Sequence, residues 1–76
     1  MKVSKREYLN SNLIGNRLFE LRKKKGDTLV EMENAIGHSH SIISRWERGI
    51  YIPSVFALVA LAEYFEVTTD YLLHLE

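Results

Sequence analysis

Apolar positions recur along this chain at helical spacing, and breaker residues divide the recurrence into five runs. Ile14, Leu18 and Leu21 fall at i, i+4 and i+7, which is one face of a first helix. Asn12 is a suitable N-cap for it, with Ser11 as a competitor. Arg22 to Lys25 load the last turn with positive charge, as the helix dipole favours, and Gly26 ends the helix as a left-handed cap. Thr28-Leu29-Val30-Glu31 spells a capping box, in which hydroxyl and carboxylate each take a backbone N–H. Met32 and Ile36, with Leu29, form the inward face of a second helix, and Gly37 supplies a residue free to take φ > 0. Ser39 caps a third helix, where Ile43 and Trp46 face inward while His40, Ser41, Ser44, Arg45 and Arg48 face outward. Gly49 stops it. Ile50-Tyr51-Ile52-Pro53 is a connecting loop, unusually apolar for one. Ser54 caps a fourth helix, running to about Phe65 with Leu58, Leu61, Ala62 and Phe65 as its core stripe. Thr68 caps a fifth, Val67 stapling onto Leu72, and Leu72, Leu73 and, at the edge, Leu75 close the core. No run alternates as a strand would, so the pattern predicts an all-α protein, a compact five-helix bundle.

Composition narrows this picture. With 76 residues the chain holds one domain with a small core. It has no Cys, so neither disulfides nor thiolate metal sites staple it. No stretch approaches the roughly 18 apolar residues of a membrane span, and the first twelve residues lack the apolar run of a signal peptide. The expectation is a soluble cytoplasmic protein. Residues 1–12 are polar and read as a flexible arm, either disordered or laid along a nucleic-acid backbone; residues 13–76 are the domain. The net charge is zero, but all ten Lys and Arg fall in residues 1–48 against six of the ten acids, a balance of +4, and residues 49–76 carry the remaining −4. A neutral chain so polarised suits a protein with one basic face.

Residues 29–48 organise the rest: helix, tight turn with Gly, helix, the unit whose second helix enters the major groove of DNA. Here the residues carry a family likeness. IGNRLFELRKKKG (14–26), IGHSHSIISRWERG (36–49) and PSVFALVALAEYFEVTTDYLL (53–73) resemble the Cro/Xre-like, phage-repressor-type helix-turn-helix family, and the likeness runs from about Leu13 to Leu73. It implies a lambda-repressor-like bundle and a sequence-specific double-stranded-DNA-binding transcriptional regulator. The simplest form is a repressor acting as a homodimer on an inverted-repeat operator, cytoplasmic and nucleoid-associated.

Carried over by position, the likeness implies that Arg22 pairs with Glu47, tying the first helix to the third with a bidentate fork. Base readout falls to His40, Ser41, Ser44 and Arg45, with Arg45 best shaped for guanine O6 and N7. Phosphate contacts fall to Arg17, Thr28, Arg48 and Ser54, with Lys23 to Lys25 adding a diffuse field.

Four positions depart from the family's habit. Leu29 stands where Gln often holds a phosphate. Glu33 stands where the crossing of the second and third helices usually takes Ala. Asp27 replaces an apolar residue, and Ile50-Tyr51-Ile52 replaces a basic loop. All four weaken the electrostatic side of DNA binding and leave the fold alone. The fourth helix also has more apolar residues than one stripe needs, and such a surplus marks an interface. Phe56, Val59, Tyr64 and Tyr71 are therefore expected at a dimer contact. The alternative function is a protein-interaction module, such as an antitoxin-like partner, with weak or no DNA binding of its own. Arg45→Ala separates the two. An enzyme is disfavoured: there is no Gly-rich phosphate loop, and no acid completes a site beside His38 and His40. No cofactor, metal or small-molecule site is expected, since His38, His40 and His74 lack zinc-ligand spacing.

Overall fold

Each helix begins where a short polar side chain can take an otherwise orphaned N–H. The computed structural model describes residues 9–76, as α1 (Ser11–Lys25), α2 (Leu29–Ile36), α3 (His40–Glu47), α4 (Val55–Phe65) and α5 (Thr69–Leu73). Thr28, Ser39, Ser54 and Thr68 cap α2 to α5 from extended backbone, each side-chain oxygen accepting from the residue three further on. The box at α2 is complete: Thr28 Oγ1 accepts from Glu31 N at 3.1 Å, and Thr28 N donates to the Glu31 carboxylate at 2.7 Å. Such caps are worth about 1 kcal/mol each.

The first cap differs from the expectation. Asn10, not Asn12 or Ser11, accepts from Leu13 N at 3.0 Å, so α1 starts at Ser11. The earlier start brings Asn12 into the helix and against Gly49, where a Cβ would collide with the Asn12 side chain, so the missing side chain admits the close approach. Of the stretch expected as an arm, Asn10 to Asn12 belong to the helix start, and residues 1–8 lie outside the described residues.

The core is Ile14, Leu18, Met32, Ile43, Trp46, Ala57, Leu58, Leu61, Ala62 and Leu72. Phe65 only half-buries itself against this core, and Ala57, one turn before Leu61, takes the central place instead. α3 packs on α1 and α2, while α4 and α5 close the other side against α2 and α1. Gly26, Gly37 and Gly49 take left-handed φ at the ends of α1, α2 and α3. The ends of α4 and α5 place Glu66 and His74 in that same region, where a side chain is a penalty. None of the described helices is long and apolar enough to cross a membrane.

Candidate nucleic-acid interface

The interface is built outward from one crossing. Gly15 of α1 lies against the last turn of α3. A Cβ there would sit 2.6 Å from the carbonyl oxygen of Glu47 and closer still to that of Trp46. Only a glycine lets these backbones touch. Sequence reasoning missed it, although an isolated Gly inside a helical pattern is the available signal.

Two turns on, Arg22 makes three bonds. Its Nε donates to Glu47 Oε2 at 2.7 Å, its second terminal nitrogen to Glu47 Oε1 at 3.0 Å, and the remaining one to the carbonyl of Asp27 at 2.9 Å. The two side chains are 11% and 7% exposed. The hydrogen bond to Glu47 and the field of that carboxylate raise the Arg22 pKa further above its ordinary value, against the opposing effect of burial. Together, Gly15 and Arg22 fix α3 relative to α1 at two points. The α2–α3 turn adds a third: His38 Nδ1 donates to the Ile36 carbonyl at 3.2 Å, and its ring leans on Trp46 with centroids 5.2 Å apart.

On the opposite side of α3, His40 and Ser41 are exposed and Ser44 and Arg45 half-exposed. Arg45 folds back one turn and donates to Ser41 Oγ at 3.3 Å, so the two form one unit near the helix start. His40 Nδ1 sits 3.0 Å from Glu33 Oε1. The bulk that Glu33 brings to the α2–α3 crossing is thus accommodated by turning its carboxylate onto the first residue of α3. Arg48 is exposed, its Nε 3.3 Å from the Ser44 carbonyl.

Beside these residues an open cleft of about 510 Å³ separates the end of α1 from the starts of α2 and α3. Arg22, Lys23, Thr28, Leu29, Val30 and His40 are among its lining. Thr28 has committed both its hydroxyl and its N–H to the capping box, which leaves the N–H groups of Leu29 and Val30 as the donors facing out of that helix end. Ser54 Oγ accepts from Ala57 N at 3.2 Å in its own cap.

Three expected site residues are engaged elsewhere. Arg17 is turned to α5 rather than toward a phosphate. It donates to the Tyr71 carbonyl and to Glu76 (2.8 Å), with its guanidinium 3.9 Å over the Tyr71 ring. That cover removes Tyr71 from an open apolar face. Tyr64 is likewise held inside the chain: its hydroxyl donates to Asp27, and Lys25 lies 4.7 Å over its ring. The bond to Asp27 comes first among the causes that push the Tyr64 phenol up to about 12. It also accounts for an acid at position 27. Exposed and apolar on and beside α4 are Phe56 (87%), Val55 (73%) and Val59 (48%), with Ile50, Tyr51 and Ile52 before the helix. His74, which anchors to the Leu13 carbonyl through Nε2 at 3.0 Å, completes the α1–α5 contact.

A family model described as Helix-turn-helix matches residues 18–72. The chain is similar to the HTH-type transcriptional regulator AnsR of Bacillus subtilis (strain 168), with 41% identity over 58 residues, 76% of this chain and 50% of that protein. It is 35% identical over 60 residues to the HTH-type transcriptional regulator ImmR of the same organism, covering 79% of this chain and 47% of that protein. The chain thus spans about half the length of these curated relatives. Its fold superposes on the P22 c2 repressor, solved in complex with synthetic operator 9T, with a TM-score of 0.80 and 33% identity over 84% of this chain and 97% of that one.

Proposed function

The chain belongs to the helix-turn-helix family, and from that premise we propose that it is a sequence-specific DNA-binding transcriptional regulator, a repressor in its simplest form, working as a symmetric dimer. The observation that carries this reading is the double attachment of α3. Gly15 and the Arg22–Glu47 fork hold its inner side, while Arg45, Ser41, Ser44 and His40 stay on the surface. The P22 c2 repressor, whose solved chain is covered to 97%, is in complex with an operator in that structure.

In this reading α3 lies in the major groove. Arg45 addresses guanine with its planar fork, Ser41 steers that fork through its hydroxyl, and Ser44 and His40 meet neighbouring bases. Phosphates are held by the free N–H groups of Leu29 and Val30, by Arg48, and by the backbone around Thr28 and Ser54. Lys23 to Lys25 supply attraction without register. Phe56, Val59 and Val55 form the face on which two subunits meet, placing two α3 helices about one DNA turn apart over an inverted repeat.

The same apolar face favours a second reading, an interaction module in which that surface takes another protein and α3 is idle. A random duplex pool, selected at about 100 mM salt with wild type and Arg45→Ala in parallel, decides between them. Enrichment of two inverted half-sites that the variant fails to enrich supports the regulator. Retention without a motif, lost at modest salt, overturns it.

A further inference from the structure

We infer that Glu33 is a specificity-determining positioning residue: it fixes the tautomer of His40 so that the imidazole reads a hydrogen-bond donor on the DNA. The inference rests on the regulator reading above and adds a residue to it. Glu33 occupies α2, 37% exposed, and its Oε1 lies 3.0 Å from Nδ1 of His40, the first residue of α3 and 57% exposed. An ionised carboxylate only accepts hydrogen bonds, so Nδ1 carries the proton. In the neutral ring this leaves Nε2 bare, and no described residue bonds it. An imidazole without such a partner presents either a donor or an acceptor, because the hydrogen bond at one nitrogen selects the state of the other.

With the tautomer fixed, Nε2 is an acceptor at the edge of the recognition surface. In the major groove the matching donors are the N6 amino group of adenine and the N4 amino group of cytosine. Guanine O6 and N7 and thymine O4 offer only acceptors. Glu33 has a second, opposite effect. Its negative charge stands beside the surface that meets phosphates, so it weakens binding to every sequence. Discrimination and affinity therefore move in opposite directions when Glu33 is removed, a signature that a merely structural residue lacks.

The test has two arms, both at about pH 8. In the first, imidazole nitrogen-15 shifts of His40 are measured in the free protein. Wild type shows Nδ1 protonated and Nε2 bare, and Glu33→Ala shifts the ring toward the Nε2-protonated form. A dominant Nε2-protonated form in wild type overturns the inference without reference to DNA. In the second, duplex selection compares wild type, Glu33→Ala, Glu33→Gln and His40→Ala. Wild type prefers adenine or cytosine at one position of each half-site, and His40→Ala and Glu33→Ala each lower that preference about tenfold. Glu33→Ala also binds the non-preferred sequences more tightly. Glu33→Gln, whose amide oxygen still accepts from Nδ1, keeps most of the preference. A Glu33→Ala motif unchanged at every position, and still dependent on Arg45, overturns the inference and leaves the regulator reading standing. If wild type enriches no motif, both fall together.

Discussion

The α1–α3 junction and the outer face of α4 are built on opposite principles. At the junction, backbone touches backbone at Gly15, and Arg22 spends its donors on Glu47, 25 positions away, and on the carbonyl of Asp27 just past the helix end. Every group there has a direction and a partner. On α4, Phe56, Val55 and Val59 are open, and the loop before them adds Ile50 and Tyr51. Contacts made by such a surface are apolar and non-directional. Under the proposed reading the difference separates two tasks: the orientation of α3 is settled inside one subunit by directional bonds, and association is left to apolar area.

The comparison breaks most readily at the junction. Gly15→Val forces two helices apart against carbonyls that cannot yield, and should lower stability by on the order of 4 kcal/mol. A thermal melt within a degree or two of wild type would show that the crossing is loose. Glu47→Ala leaves a shielded guanidinium without its fork and should cost about 3 kcal/mol, roughly 12–24 °C in Tm for a domain of this size. Arg22→Ala should cost a similar amount, and the double variant little more than either alone; additive losses would mean the two side chains act independently.

A smaller effect is read by pH. The Tyr64 phenol is raised from 10.0 to about 12, first by its hydrogen bond to Asp27 and then by burial. A folded pKa above the unfolded one means that this contact stabilises fully below about pH 10 and is lost as pH rises toward about 12. Tm should therefore fall across that window, and Tyr64→Phe should flatten the fall; an identical slope in the variant would remove Tyr64 as its source. The smallest effect on stability belongs to the open face. Phe56→Ser should change it by no more than about 0.5 kcal/mol while shifting sedimentation toward the monomer. A large drop in Tm would instead place Phe56 in the packing of its own subunit.

What the chain disclosed before folding was local. Four of the five caps, the capping box and the left-handed glycines depend on residues within four positions of one another, and the pattern states them directly. For the first cap the sequence points to Asn12 or Ser11 and the structure uses Asn10; the choice involves Gly49, which is distant in sequence. The Arg22–Glu47 contact was legible only through family resemblance, since nothing in the spacing of two charges 25 positions apart brings them together. Arg17 with Tyr71, Tyr64 with Asp27 and His74 with Leu13 join positions 37 to 61 apart, and no local rule reaches them. Glu66 and His74 end their helices in the left-handed region without the Gly or Asn that normally signals it. Glu33 was legible as a departure; its partner was visible only once the turn at Gly37 had brought α2 over the start of α3.

The backbone contact at Gly15 has a thermodynamic consequence. A helix whose last turn rests directly on another is ordered there on folding rather than on binding. Under the proposed reading, association with a duplex then changes heat capacity only through the surface covered at the contact, without the larger negative change that accompanies folding on binding.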